Sequence, residues 1–97
     1  MPAYTILDIE WHDEAKAAEY RKLLGPTLEK HGGRTLVANQ PIPLEGDWEP
    51  RRVIIMEFPS MAALQAWYHS EDHAPVLQLR KDGAKSRMIA VERPAGP

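Results

Sequence analysis

The order of strand-like and helix-like segments constrains this chain more than any single motif does. Apolar residues tend to recur at every second position over 3–11, which is the period of a β-strand. A helix-like pattern follows, with apolar residues three or four positions apart: Ala17, Tyr20, Leu24 and Leu28. Two more strand-like segments come next, at 34–39 and 51–58, then a second helix-like segment and a last strand at 86–92. The sequence therefore predicts the order strand, helix, strand, strand, helix, strand.

Residues that favour helix ends mark the limits of the two helices. Asp13 and Ser60 can each accept a hydrogen bond from the free backbone amides of a first helical turn. Gly25-Pro26 predicts a kink or a fresh short helix, because proline has no amide hydrogen to donate. Pro75 is expected to break the second helix, with one further helical turn after it.

This order predicts an α+β domain of the ferredoxin-like βαββαβ type, a four-stranded sheet with two helices on one face, because both strand–helix–strand halves need right-handed crossovers. Residues 1–97 form a single domain in this interpretation, and 93–97 are a frayed tail. The second sheet face would carry Tyr4 and Ile6 beside carboxylates. We expect a second copy of the chain to cover it, giving a homodimer.

The composition argues against several classes of function. The net charge is −2 and the 12 basic residues are spread along the chain, which disfavours nucleic acid as a partner. The absence of cysteine excludes disulfides and thiolate chemistry and favours the cytoplasm. No apolar run reaches the roughly 20 residues of a membrane span, so no membrane partner is expected. Glycine-rich phosphate loops and serine elbows are also absent.

Carboxylates embedded in apolar strands are the first candidates for chemistry. Asp8 and Glu10 lie in the first strand and Glu57 in the third. An apolar cleft disfavours the charged form of a carboxylate, which suits it to proton transfer, so Glu57 is a candidate acid or base. The alternative is that these groups face solvent at strand ends or pair with arginines, namely Arg34, Arg52 or Arg87.

The histidines suggest a second kind of candidate. His69 and His73 are four residues apart, the spacing of two-histidine metal motifs, but Glu71 and Asp72 would point away from a shared metal. No metal site is therefore predicted. His73 alone, beside the expected helix break, is a candidate general acid or base, with a surface histidine as the alternative. His12 ends the first strand and could face the same pocket.

Three aromatic residues have two interpretations each. Trp67 and Tyr68 lie on the apolar face of the second helix, where they either fill the core or form one wall of a ligand pocket. Trp48 lies in the proline-rich connection 40–50 and is difficult to bury in so small a chain. We therefore expect Trp48 to contact a partner subunit.

Four segments together resemble the DUF1330 family: HGGRTLVAN at 31–39, LEGDWEP at 44–50, EFPSMAALQAWYHSEDHAP at 57–75 and SRMIAVE at 86–92. The resemblance implies a ferredoxin-like subunit that pairs into a dimeric α/β barrel. That architecture is shared with small cofactor-free monooxygenases, lactone isomerases, polyketide cyclases and haem-degrading enzymes. The sequence departs from the family pattern at His73, where the family often has an aromatic residue.

Two functions follow from these residues. In the first, the protein is an enzyme without a cofactor that acts by acid/base chemistry on an apolar or aromatic metabolite held between sheet and helices. Glu57 or His73 would move the proton and Arg34 would hold the developing negative charge. The substrate would be bound by Trp67, Tyr68, His12 and Trp48. In the alternative, the protein is a non-catalytic homodimer that binds a metabolite or another protein. Haem binding through a histidine is a third hypothesis.

Overall fold

The computed structural model describes residues 1–95, and this part of the chain contains four strands and three helices. They are β1 Ala3–Trp11, α1 Glu14–Lys30, β2 Arg34–Asn39, β3 Val53–Phe58, α2 Met61–Tyr68, α3 Ala74–Gly83 and β4 Ala84–Glu92. The predicted order is confirmed, with the second helical segment divided into two helices. The predicted frayed tail includes residues 96 and 97, which lie outside the described residues.

The four strands form one antiparallel sheet in the order β2-β3-β1-β4. Tyr4 of β1 lies opposite Glu57 of β3 on one side and Val91 of β4 on the other, which fixes the register of the two central pairings. This topology confirms the ferredoxin-like fold. No helix among residues 1–95 is long and apolar enough to cross a membrane.

The helices cover one face of the sheet, and the core lies between them. Alternate residues of β1 point into it, which explains the two-residue period: Ala3, Thr5, Leu7 and Ile9 are all buried. The helices contribute Leu28, Leu64 and Trp67, and the sheet adds Met56 and Phe58. The rings of Phe58 and Trp67 are 5.0 Å apart, a separation at which aromatic pairs attract each other.

Helix α1 begins as predicted and continues through its proline. The Asp13 carboxylate accepts a hydrogen bond from the Lys16 amide at 3.0 Å, and this bond lowers the pKa of Asp13. Gly25-Pro26 does not start a fresh helix, so that alternative was wrong. Proline removes only one helical hydrogen bond, and the turn that follows is held by Thr27, whose hydroxyl donates to the Leu24 carbonyl at 2.8 Å.

The close approach of β3 requires the glycines after α1. Gly32 has a φ of 75°, a left-handed conformation that glycine adopts without strain. A Cβ at Gly33 would lie 2.5 Å from Cε2 of Phe58, so any side chain there would displace this core ring. The glycine pair therefore lets the chain turn directly from α1 into β2.

The connection from β3 to β4 contains two helices joined by a turn. Ser60 caps α2 as predicted, since its hydroxyl accepts a hydrogen bond from the Ala63 amide at 3.0 Å. Pro75 was predicted to leave only a single further helical turn, and this was wrong. It occupies the first turn of the ten-residue helix α3. Proline is well tolerated there, since the first-turn amides have no partner within the helix.

The face of the sheet opposite the helices is the open face. On β1, β3 and β4 it carries every second residue, including Tyr4, Ile6, Asp8, Glu10, Ile55, Glu57, Arg87, Ile89 and Val91. Ile89 is 60% exposed and Val91 is 45% exposed, so a large part of this apolar surface is uncovered in the single chain. The predicted difference between the two faces of the sheet is confirmed.

Candidate functional site

His73 is completely buried, so the alternative of a surface histidine was wrong. The turn between α2 and α3 places it there. The Ser70 hydroxyl donates to the Trp67 carbonyl at 2.9 Å and accepts a hydrogen bond from the His73 amide at 3.2 Å. An ion pair between Lys30 and Asp72 ties the same turn to the end of α1, and its hydrogen bond lowers the pKa of Asp72. These contacts hold His73 against α1.

The predicted pairing of His69 and His73 on one helix does not occur. His69 follows the last residue of α2, whereas His73 precedes the first residue of α3. Within residues 1–95, no group of three or more His, Asp or Glu side chains is arranged to hold a metal ion. The imidazole of His73 must therefore be considered with its own neighbours.

Thr27 of α1 links His73 to Trp67. Its hydroxyl lies 3.2 Å from the Trp67 indole nitrogen and 3.4 Å from Nδ1 of His73. The single hydroxyl proton is directed to the Leu24 carbonyl, so Thr27 accepts from both aromatic side chains. We therefore assign the proton of neutral His73 to Nδ1. The indole and imidazole rings also pack together, with centroids 4.1 Å apart.

This arrangement leaves Nε2 of His73 with a lone pair and no partner among residues 1–95. Burial, followed by the nearby charges of Arg80 and His31, lowers the pKa of His73 from 6.5 to about 4. The imidazole is therefore neutral near pH 7. A buried, neutral imidazole with a free nitrogen can accept a proton from a bound molecule.

Arg80 brings a buried positive charge to the same side of the sheet. It is only 4% exposed and lies on the buried stripe of α3 with His73, Val76 and Gly83. Its Nη1 donates to the Ser86 hydroxyl at 3.0 Å. Nε and Nη2 are buried and have no hydrogen-bond partner in the described part of the chain. Buried guanidinium groups normally have an anionic partner, so this one is unusual.

Tyr20 of α1 is the fourth polar residue in this region. It is 2% exposed, and its hydroxyl has no partner among the described residues. Burial raises the pKa of Tyr20, and both the charge of Arg80 and a side-chain interaction of the hydroxyl with Arg80 oppose that rise. Tyr20, Thr27, His73 and Arg80 are called the buried polar cluster below. Tyr20 interacts with Arg80, and Thr27 bonds His73, so the cluster consists of two neighbouring pairs. Unpaired buried polar atoms are uncommon in folded proteins, which makes this region the candidate functional site.

A groove between α1 and the sheet leads to one member of this cluster. Its volume is about 580 Å³, and Tyr20 forms part of its wall. Most of the remaining wall is apolar, including Trp11, Leu24, Leu28 and Ile54. Arg21, Thr35 and Arg52 are the other polar residues of the wall. A mostly apolar cleft with a few polar groups is a common arrangement in small-molecule sites.

On the open face, Glu57 is paired with Arg34. Both Nε and Nη2 of Arg34 donate to Oε1 of Glu57, at 3.0 and 2.7 Å. This geometry matches the alternative in which the strand carboxylates form ion pairs. The Arg34 side chain is 70% exposed, so the pair lies at the surface of the single chain.

Asp8 and Glu10 are paired in the same way. The Asp8 carboxylate accepts from Arg87 at 3.0 Å and from the Trp48 indole at 3.1 Å, while Glu10 pairs with Arg51 at 3.0 Å. The partner of Glu10 is therefore Arg51, which was not among the three arginines named as possible partners. Trp48 remains 54% exposed and borders a shallow cavity of about 440 Å³ with Ile6, Asp8, Asp47, Arg87 and Ile89.

The predicted site residues thus divide between the two faces of the sheet. Glu57, Arg34 and Trp48 lie on the open face, whereas His73 and Trp67 lie together under the helices. Tyr68 belongs with the second group, since its ring centroid is 6.4 Å from that of His73. His12 is exposed just after β1. Glu57 and His73 are therefore not brought together in one site.

Thr27, Arg80 and the Tyr20 hydroxyl are the members of the cluster that sequence reasoning missed. The signal for Arg80 was present: His73, Val76, Arg80 and Gly83 recur at spacings of three and four, which marks a buried helical stripe. A charged residue on such a stripe is a candidate for function because burying it is unfavourable. Tyr20 was correctly placed on the apolar face of α1, but nothing in the sequence indicates an unpaired hydroxyl.

Comparison with protein families finds one match, to the model described as Domain of unknown function (DUF1330), over residues 2–94. That match extends over nearly the whole chain. Among the curated proteins, none matches the sequence.

Several solved structures have the same fold. A protein of unknown function from Rhodopseudomonas palustris, RPA0582, is 23% identical, with a TM-score of 0.77 over 99% of this chain and 84% of that one. A dimeric ferredoxin-like protein of unknown function from Jannaschia sp. CCS1 is 14% identical, with a TM-score of 0.73 over 96% of this chain and 100% of that one. SnoaB, a cofactor-independent oxygenase from Streptomyces nogalater, is 10% identical, with a TM-score of 0.68 over 98% and 95%.

Proposed function

The chain belongs to the DUF1330 family, and from its buried polar cluster we propose that it is a small-molecule enzyme that works by acid/base chemistry without a cofactor. The observation that carries the proposal is the buried, unpartnered Nε2 of His73, which is close enough to Arg80 for the charge of its guanidinium to act on the imidazole. The substrate is an apolar or aromatic metabolite that enters through the groove lined by Tyr20. The site lies between the sheet and the helices.

Each cluster residue has a role in one proton-transfer step. Nε2 of His73 takes a proton from an acidic C–H or O–H of the substrate, and the electron pair stays on the substrate as an enolate or phenolate. Thr27 keeps the other imidazole nitrogen protonated and so leaves Nε2 free. Arg80 provides a positive charge near the anion that forms. Return of the proton to a different atom completes an isomerisation.

The structural relatives are compatible with this class of reaction. SnoaB is described as a cofactor-independent oxygenase, and other proteins with this fold are described as antibiotic biosynthesis monooxygenases. Removal of a proton to give an electron-rich anion is also the first step expected for an oxygenation without a cofactor. The likeness is one of fold, so the proposal depends on the residues of this chain.

Deuterium exchange tests the proposal without knowledge of the natural substrate. Phenylpyruvate and the neutral ketone phenylacetone are incubated with the protein in D2O, and loss of the acidic C–H signal is followed by proton NMR. We expect the protein to accelerate exchange of at least one of them. The variant His73→Gln should lower that acceleration by about 100-fold or more, the usual contribution of a general base.

Glu57→Gln is the matched comparison, since it changes the other candidate base on the opposite face of the sheet. Exchange should be equal to that of the parent protein. If Glu57→Gln removes exchange while a folded His73→Gln variant retains it, the base is on the open face and the proposal is wrong. Circular dichroism of both variants checks that they are folded.

The open face supports a second role, assembly into a homodimer. Ile89 and Val91 are exposed beside ion pairs, and one structural neighbour is described as dimeric. Pairing of two open faces would bury these side chains symmetrically. Analytical ultracentrifugation should give twice the monomer mass, and Ile89→Asp should shift the species to monomer. A monomeric parent protein at high micromolar concentration would contradict this assembly.

A further inference from the structure

Arg80 and Arg34 differ in the exposure and in the partners of one edge of the guanidinium group, the edge formed by Nε and Nη2. In Arg34, the Nε/Nη2 edge is exposed and occupied, because both nitrogens donate to the Glu57 carboxylate. In Arg80, the corresponding Nε and Nη2 atoms are buried, have no carboxylate partner among residues 1–95 and form no hydrogen bond of good geometry there. The neutral Tyr20 hydroxyl is the group that interacts with this guanidinium. That edge is the one whose two parallel N–H groups match a carboxylate. The Nε/Nη2 edge thus binds a carboxylate in Arg34 but has no carboxylate partner among residues 1–95 in Arg80.

The surroundings of Arg80 do not neutralise its charge. A guanidinium group stays protonated at all physiological pH values. Its hydrogen bond within the described part of the chain is to a neutral hydroxyl, that of Ser86, and the Tyr20 hydroxyl with which it interacts is also neutral. None of the ion pairs in the described part of the chain includes Arg80. A water molecule could accept from one or two of its N–H groups but would leave the charge uncompensated, and an uncompensated buried charge is strongly unfavourable.

We infer that the Nε/Nη2 edge of Arg80 binds the carboxylate of a small organic anion, with the Tyr20 hydroxyl as an additional donor. Arg80 is not part of the wall of the groove of about 580 Å³, and Tyr20, which lines that groove and interacts with Arg80, connects the two. Because most of the groove wall is apolar, the ligand is an apolar or aromatic monocarboxylate. This inference rests on the proposed function in naming that anion as the substrate. Binding itself needs no turnover, so it can be tested separately.

The charges facing His73 support this assignment. Arg80 and His31 both disfavour the protonated imidazole. The Tyr20 hydroxyl is neutral at pH 7, as tyrosine ordinarily is, and burial raises its pKa further. A carboxylate on Arg80 would offset one of the two opposing charges and raise the pKa of His73. The anion that binds Arg80 would therefore also make His73 a stronger base. Ligand binding and proton transfer would be coupled through one side chain.

Calorimetric titration with benzoate and benzamide tests the inference at constant ionic strength. The two probes have nearly the same shape and differ in charge. Benzoate should bind saturably and about tenfold or more tightly than benzamide. In the nitrogen-15 NMR spectrum of the unmodified protein, the Arg80 Nε–H resonance should shift with the same dissociation constant. This second measurement requires no variant that could fail to fold.

Three variants locate the binding site. Tyr20→Phe removes only the hydroxyl and should weaken benzoate binding severalfold, and Arg80→Lys should weaken it more because the paired N–H edge is lost. Arg87→Lys, at an exposed arginine on the open face, should leave it unchanged. Equal binding of benzoate and benzamide, or an Arg80 resonance that does not respond to benzoate, would overturn the inference. The exchange of neutral phenylacetone would still test the proposed enzyme in that case.

Discussion

The two faces of the sheet handle charge in opposite ways. On the open face, Asp8, Glu10 and Glu57 each have an arginine partner, and every partner is largely exposed. Under the helices, His73 and Arg80 are buried and retain atoms without partners among residues 1–95. The residues that look most reactive in the sequence are thus the ones that the fold neutralises. The candidates for chemistry, His73 and Arg80, instead lie at positions whose helical spacing is typical of buried apolar residues.

The two faces also differ in what their charged and polar groups contribute to folding stability. Exposed ion pairs contribute about 0–1 kcal/mol each to stability, so the loss of an open-face pair should change the free energy of unfolding little. An unsatisfied buried polar group destabilises the folded chain by about 1–3 kcal/mol. A cluster of such groups is not explained by stability. This contrast is the reason for assigning chemistry to the buried polar cluster and assembly to the open face.

Replacement of Trp67 should produce the largest effect on folding. Trp67→Ala removes a fully buried ring that packs on Phe58 and His73 and donates to Thr27. We expect the free energy of unfolding to fall by about 3–5 kcal/mol, measured by urea denaturation at fixed protein concentration. Trp48→Ala, at a half-exposed tryptophan of the other face, should change it by less than about 1 kcal/mol. Similar losses in both variants would contradict the contrast.

The next largest effect should be a pH dependence caused by His73. Its pKa is about 4 in the folded chain and near 6.5 when unfolded, so the unfolded chain binds the proton first as the pH falls. The contribution of neutral His73 to the free energy of unfolding is fully present above about pH 6.5 and is lost progressively as the pH falls towards 4. Between pH 8 and pH 4.5 the loss is about 2.5 kcal/mol.

Thermal or urea unfolding across this pH range measures that loss by difference. The parent protein should lose about 2.5 kcal/mol more than His73→Gln between pH 8 and pH 4.5. His12→Gln, which changes an exposed histidine, should retain the full dependence of the parent. Parallel curves for the parent and His73→Gln would show that His73 titrates alike in the folded and unfolded chains.

Thr27→Val should have an intermediate effect. Valine has nearly the same shape but cannot accept from the Trp67 indole or from Nδ1 of His73. The unfolding free energy should decrease by about 1.5 kcal/mol, the cost of leaving buried donors unpaired. Thr35→Val, on the exposed strand β2, is the control and should be nearly neutral. A neutral Thr27→Val would remove the hydroxyl from the network.

The smallest effect is expected at the most conspicuous carboxylate. Glu57→Gln keeps the side-chain shape and weakens only the pair with largely exposed Arg34. The change in unfolding free energy of the monomer should be below about 1 kcal/mol, measured by urea denaturation at low protein concentration. A larger loss that grows with protein concentration would mean that Glu57 also stabilises the assembly.

Most of the fold follows from local patterns that the sequence displays directly. The strand bounds at 3–11 and 34–39, the caps Asp13 and Ser60, and the uncovered sheet face were all predictable, because each depends on neighbours in the chain. The continuation of α1 through Pro26 was not predictable in this way. It depends on tertiary packing that outweighs one missing hydrogen bond.

The candidate site was only partly predictable for a similar reason. His73 and Trp67 were identified, but their shared partner Thr27 is 40 or more residues away in the sequence. Glu57 and His73 were grouped because both are ionisable, whereas the sheet separates them. Which face each ionisable side chain occupies depends on the register of the strands and the packing of the helices. Spacing along the sequence does not contain that information.

A nitrogen-15 NMR titration of the histidine side chains tests directly whether His73 has a free, buried ring nitrogen. It reports both the pKa of His73 and which ring nitrogen carries the proton. A neutral imidazole protonated at Nδ1, with a pKa of about 4 that rises when benzoate is added, is the predicted result. A pKa near the ordinary 6.5, or a neutral ring protonated at Nε2, would contradict the claim that His73 has a free, buried nitrogen for catalysis.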